Sequence, residues 1–120
     1  MPKRILIAED DLLSREMLSM FATMQGYEVV AVTDGVDLLT TAANGQFNAI
    51  ITDLMMVDLD GAAATEIMKM QGNTAPVIAL TALSTEETSL VQDKFTRIYH
   101  KPCDFNELFT FIETLIGKPA

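Results

Sequence analysis

One cysteine, Cys103, and no tryptophan occur in 120 residues. A single thiol excludes a disulfide framework and a cysteine-held metal. Basic residues are few: 8 Lys and Arg stand against 17 Asp and Glu, a formal net charge of −9. A surface for DNA phosphates needs clustered cations, so direct nucleic-acid binding by this chain is excluded and protein partners are expected. No apolar run approaches the roughly 20 residues that span a bilayer. The N-terminus, Met1-Pro2-Lys3-Arg4, is basic, but Glu9-Asp10-Asp11 ends the following apolar run too early for a signal peptide. A cytoplasmic protein without membrane contact is expected. Linkers and low-complexity segments are missing too. At 49% hydrophobic and 21% charged the chain is globular. Its length suits one domain, and residues 1–120 are read as one.

What is present is a strict alternation of strand-length apolar runs with helical patterns. The runs are Ile5–Ala8, Tyr27–Val32, Ala49–Thr52, Val77–Leu80 and Arg97–His100. After the first run, Leu13, Met17, Phe21 and Met24 mark one helical face. Val36, Leu39 and Ala43 do so in the second helix, Ala63, Ile67 and Met70 in the third, and Leu108, Phe111, Ile112 and Leu115 in the fifth. Ser84-Thr85-Glu86-Glu87 has the spacing of a capping box and should start the fourth helix. Alternation of this kind predicts an α/β fold with helices on both faces of a parallel sheet. Five units fit the doubly wound, flavodoxin-like order 2-1-3-4-5, with five helices.

Four of the apolar runs end in polar residues. Glu9-Asp10-Asp11 follows the first run, Asp53 the third, Thr81 the fourth and Lys101-Pro102 the fifth. In a parallel sheet these ends share one edge. Crowded carboxylates repel unless protons or a cation relieve them. Oxygen donors completed by water and phosphate suit Mg²⁺. Asp53 can serve as a nucleophile that forms an acyl phosphate, with Lys101 offsetting charge on the transferring group and Thr81 offering a hydroxyl. Singly, Asp10 and Asp11 also fit helix caps, Thr81 a cap and Lys101 a solvated loop lysine. A flavin-binding protein would need a hydroxyl- and glycine-rich loop where the three acids stand. A magnesium phosphatase built on Asp53 would need a cap domain and a general acid. Asp58-Leu59-Asp60-Gly61 resembles part of an EF-hand loop, but its first and twelfth positions would be Met56 and Ile67.

Taken in order, Glu9-Asp10-Asp11, Asp53-Leu54-Met55-Met56 with Asp60-Gly61, Thr81-Ala82 and Lys101-Pro102 resemble the receiver domain of bacterial two-component response regulators. The resemblance covers the whole chain. It implies that Asp53 accepts a phosphoryl group from a phosphohistidine on a histidine kinase or histidine phosphotransfer protein. It also implies that Asp10, Asp11, Asp53 and the backbone carbonyl of Met55 bind Mg²⁺ or Mn²⁺. Thr81 and Lys101 would contact the phosphoryl group, and the Lys101-Pro102 bond would be cis. The chain would be no turnover enzyme but a phosphoacceptor with self-catalysed transfer and slow autodephosphorylation. The face of the fourth helix, fifth strand and fifth helix would then address a downstream protein or an output domain that this sequence lacks. A module that binds partners without switching is the alternative.

Three departures from the family pattern stand out. The switch aromatic expected three residues before the lysine is Ile98, and the tyrosine is Tyr99. A one-residue shift on a strand reverses the side chain's face. Lys94-Phe95-Thr96-Arg97 replaces the usual small turn, which predicts a shortened fourth helix or an irregular exit from it. Val57 stands where proline is common. Met55 and Leu83, at positions that flank the attacking water in this family, are apolar, which predicts a long-lived phosphoryl group.

Overall fold

A computed structural model describes residues 2–120. Strand β1 (Arg4–Ala8) leads to helix α1 (Leu12–Gln25), β2 (Glu28–Val32), α2 (Gly35–Asn44), β3 (Ala49–Thr52), α3 (Gly61–Met70) and β4 (Val77–Thr81). Helix α4 (Thr85–Thr88), a 3-10 turn (Gln92–Lys94), β5 (Arg97–His100) and α5 (Phe105–Ile116) complete the chain. All strand pairs are parallel, in the order β2-β1-β3-β4-β5. This is the order and helix number the alternation predicts. The chain direction across the sheet reverses at β1, so a crevice opens between the carboxyl ends of β1 and β3.

Successive strand residues point to opposite faces, and both faces are covered. Ile5, Ile7, Ala49, Ile51, Ile78 and Leu80 pack with Leu18 and Ala22 of α1 and Leu108, Phe109 and Ile112 of α5. Leu6, Ala8, Ile50, Val77 and Ala79 pack with Leu38 and Ala42 of α2, Ala64 and Met68 of α3, and Phe95. Each α-helix begins on a side chain that accepts a helix N–H: Asp11 from Ser14, Asp34 from Asp37, Asp60 from Ala63, Ser84 from Glu87 and Asp104 from Asn106. Such caps contribute about 1 kcal/mol each.

The helical faces differ from those expected. Of the four residues read as one apolar face of α1, only Phe21 packs inward; Leu13, Met17 and Met24 are exposed. Val36 of α2 and Met70 of α3 are exposed as well, and Leu115 of α5 lies at the margin. The cause is that α1 is apolar on two sides, and the sheet selects the side with the smaller residue, Ala22, which allows close approach. Ala42 and Ala64 play the same part in α2 and α3.

The capping box forms in full, yet α4 runs for only 4 residues. The Thr88 hydroxyl donates to the Thr85 carbonyl (3.2 Å) and the Ser89 hydroxyl to the Glu86 carbonyl (2.7 Å). The 3-10 turn that follows is tied to α3 by Lys94 on Glu66 (3.0 Å) and Lys69 on the Lys94 carbonyl (2.6 Å).

Candidate functional site

Backbone hydrogen bonds carry the ladder one residue past the strand ends. Glu9 N–H donates to Val32 (3.1 Å), Asp53 N–H to Ala8 (3.0 Å) and Lys101 N–H to Thr81 (2.7 Å). The Lys101-Pro102 bond is cis. Period-two alternation then sets the directions of the side chains. Glu9 is in phase with Ile5 and Ile7, Asp53 with Ala49 and Ile51, and Lys101 with Tyr99, all on the sheet face covered by α1 and α5. Thr81 is in phase with Val77 and Ala79, on the other face.

Accordingly, Lys101 Nζ ion-pairs with Asp53 Oδ2 at 3.0 Å and with Glu9 Oε1. Asp53 Oδ1 accepts the Met55 N–H at 3.2 Å. Glu9 and Asp53 are 4% and 8% exposed, whereas Asp10 is open to solvent. Carboxylate oxygens of Glu9, Asp10 and Asp53 lie within 4.8 Å of one another. Burial pushes the Glu9 carboxyl above its ordinary range, and hydrogen bonds from Lys101 and the Asp11 amide offset this only in part. Burial works to lower Lys101, but the Glu9 and Asp53 carboxylates outweigh it and hold the ammonium above its ordinary value. Three carboxylates against one ammonium leave negative charge unmatched. That set of hard oxygen donors fits a divalent cation such as Mg²⁺.

The acids that cluster differ from the expected metal set at one position. Asp11 is exposed, and its carboxylate accepts the Ser14 N–H at 2.9 Å as the N-cap of α1. The same bonds hold its carboxyl below the ordinary range. Glu9 stands in its place among the clustered acids. The signal for Glu9 was in the sequence: counted by twos, 5-7-9 continues one strand face, which residue 11 does not reach because the chain has already turned into the helix.

Thr81 is fully buried at the same sheet edge. Its Oγ1 accepts the Leu83 N–H at 3.2 Å, and among the described residues it makes no hydrogen bond to Asp53 or to the Lys101 side chain. Met55 is 60% exposed. With Leu83, Met56, Val91 and Leu54 it lines an open groove of about 590 Å³ that reaches Asp10. Two further residues have structural parts that sequence reasoning missed. Asp58 Oδ1 accepts from Gly35 N–H (3.0 Å) and Leu59 N–H (2.8 Å), so the β3–α3 loop is fastened to the start of α2. At Gly61, a Cβ would collide with the Asp53 carbonyl oxygen and lie 3.1 Å from Thr52 Oγ1. Only glycine lets α3 start this close to the end of β3.

Ile98 and Tyr99 face opposite sides of the sheet, as the shifted tyrosine predicts. Ile98 packs on the α2 and α3 side. Tyr99 packs edge-on against Phe111 at 6.2 Å, and the Arg97 guanidinium lies over both rings, at 4.9 Å from Tyr99 and 4.8 Å from Phe111.

Residues 5–113 match the family described as response regulator receiver domain. The chain is similar to "Response regulator MprA" from Mycobacterium sp. (strain KMS), 38% identical over 82 residues, which cover 68% of this chain and 36% of that protein. Among solved structures it is similar to the receiver domain of sensor histidine kinase PA1611 from Pseudomonas aeruginosa PAO1, "with magnesium ion coordinated in the active site cleft". That match has 27% identity and a TM-score of 0.90, and covers 98% of this chain and 100% of the other. It is also similar to response regulator protein TrrA from Thermotoga maritima "in complex with Mg(2+)-BeF", at 26% identity and a TM-score of 0.87, covering 94% and 98%. The matched segment spans between 18% and 52% of the length of several curated relatives.

Proposed function

Because the chain belongs to the response regulator receiver domain family, we propose that it is a phosphoryl-accepting switch of a two-component or phosphorelay system, with residues 1–120 as a single receiver domain. The observation that carries this is the Lys101 ammonium on Asp53 Oδ2, beside two further acids at the switch point of the sheet. A carboxylate oxygen of Asp53 attacks the phosphorus of a phosphohistidine on the partner. The P–N bond breaks, the imidazole nitrogen keeps the electron pair and takes up a proton, and Asp53 becomes an acyl phosphate. Lys101 already sits where negative charge gathers, so little reorganisation is needed. Thr81 offers its hydroxyl to a phosphoryl oxygen once the loop that holds it moves.

Glu9, Asp10, Asp53 and the Met55 carbonyl are the residues we assign to Mg²⁺, with Mn²⁺ as an alternative. The bound ion would supply positive charge to the phosphoryl oxygens. The magnesium named for the PA1611 and TrrA structures supports this assignment. The donor is a histidine kinase or histidine phosphotransfer protein. Exposed Leu13, Met17, Met20 and Met24 on α1 support a helical docking partner. Their 4-3-4 spacing suits a near-parallel helix, and α1 starts beside the acids. The output is a downstream protein or a further domain, addressed by the α4, β5 and α5 face. Among the described residues no helix is long and apolar enough to cross a membrane, which supports a cytoplasmic setting. No separate substrate is turned over; transfer is self-catalysed and followed by slow autodephosphorylation.

Incubation with Mg²⁺ and a small acyl-phosphate donor, followed by intact mass, tests the proposal. The expected result is a gain of one phosphoryl group, lost when a chelator is present during incubation. No gain, or an equal gain in chelator, would overturn it.

The groove beside Asp10 supports slow hydrolysis, because neither Met55 nor Leu83 carries a polar group to orient water. Met55→Asn is expected to raise the rate of phosphate release roughly tenfold or more. Phosphate release from the purified phosphoprotein measures it directly, and an unchanged rate counts against a water-excluding part for Met55.

A further inference from the structure

His100 closes β5 directly before Lys101 and pairs with Thr81 across the β4–β5 ladder. Its Nδ1 lies 2.7 Å from the backbone oxygen of Leu83, in the loop between β4 and α4. A carbonyl only accepts, so Nδ1 carries the hydrogen. Leu83 is held at its other end as well, since its N–H donates to Thr81 Oγ1 at 3.2 Å. One residue of loop thus joins the Thr81 hydroxyl to the histidine that precedes Lys101. The Lys101 N–H on the Thr81 carbonyl, at 2.7 Å, closes the circuit. Tyr99 cannot share this task, because it is stacked with Arg97 and Phe111 on the opposite face. Ile98 has no polar group to offer.

We propose that His100 is a positioning residue for Thr81. By fastening the Leu83 carbonyl, it keeps the Leu83 N–H on the Thr81 hydroxyl and holds the loop in its phosphoryl-free arrangement. Thr81 then reaches a phosphoryl oxygen only when residues 81–83 shift together and the His100 bond opens. In this chain a histidine on a backbone carbonyl, in place of an aromatic rotamer, sets how readily the switch moves. The inference rests on the receiver function proposed above.

The test compares wild type with His100→Leu, which removes the donor and stays bulky, and His100→Asn, whose side-chain amide places a donor near the position of Nδ1. Two quantities are read by amide NMR. One is hydrogen exchange at Leu83 in the free protein. The other is the beryllofluoride concentration that half-saturates the protein at fixed Mg²⁺, followed on the Thr81 and Leu83 signals. His100→Leu is expected to speed Leu83 exchange and to lower the half-saturating concentration, each about two- to tenfold, the range for one neutral hydrogen bond. His100→Asn should return both toward wild type. Both variants matching wild type would overturn the proposal, as would both weakening beryllofluoride binding alike. If wild type binds beryllofluoride and His100→Leu does so identically, the part given to His100 falls and the receiver function stands. If wild type binds none, the receiver function falls and the His100 proposal with it.

Discussion

Asp53→Asn is expected to take up no phosphoryl group, with the uptake rate lowered by roughly 10⁴-fold or more, as for removal of other nucleophiles. The amide keeps the size and shape of the carboxylate but lacks the negative oxygen that attacks phosphorus. The fold should survive the change. The Asp53 N–H still donates to the Ala8 carbonyl, and Lys101 keeps Glu9 as its partner. Loss of one charge also relieves the repulsion among Glu9, Asp10 and residue 53. Intact mass after incubation with Mg²⁺ and an acyl-phosphate donor measures the effect, beside a thermal melt that should move little. A phosphoryl gain equal to wild type would place the acceptor elsewhere and sink the assignment of Asp53.

Lys101→Met is expected to slow phosphoryl uptake by about 10²- to 10³-fold, the usual loss for one preorganised group that meets developing charge. Its effect on metal binding should have the opposite sign. Lys101 is the cation that the structure places on Glu9 and Asp53. Without it, the acids lose their internal counter-charge and should hold Mg²⁺ more tightly. Burial of Glu9 would then be opposed only by the Asp11 amide, so its carboxyl should titrate higher still. Uptake rates by mass and Mg²⁺ titration by NMR, run on the same sample, separate the two effects. Weaker Mg²⁺ binding together with slow uptake would mean that the variant has merely lost the shape of the pocket.

Much of the architecture was legible because it rests on local signals. Short apolar runs such as Ile5–Ala8 and Val77–Leu80 are buried on both sides of a sheet, so their length and composition announce strands. Asp60-Gly61, Ser84 and Asp104 announce helix starts because few side chains satisfy free N–H groups at a helix end. The departures came where two local solutions compete. The sequence of α1 offers apolar residues on two faces, and only the sheet decides that Ala22 turns inward and Met17 outward. The Ser84 box starts α4 where expected, and α4 is short, as Lys94-Phe95-Thr96-Arg97 predicts.

The candidate site divides in the same way. Strand ends and residue types alone bring Asp10, Asp53, Thr81 and Lys101 to one edge, because in a parallel sheet every strand ends on the same side. Choosing between Glu9 and Asp11 required knowing where β1 gives way to α1. That boundary sends the first side chain to Lys101 and leaves the second to cap a helix. Asp58 on the start of α2 and His100 on Leu83 left no trace in any local pattern, since their partners lie 23 and 17 residues away. The sequence by itself determined the sheet, its order and the chemistry gathered at its edge, because burial and alternation act on neighbouring residues. Tertiary structure alone decided which acids Lys101 pairs with and what restrains Thr81, because hydrogen bonds and ion pairs are formed by distance and direction in space.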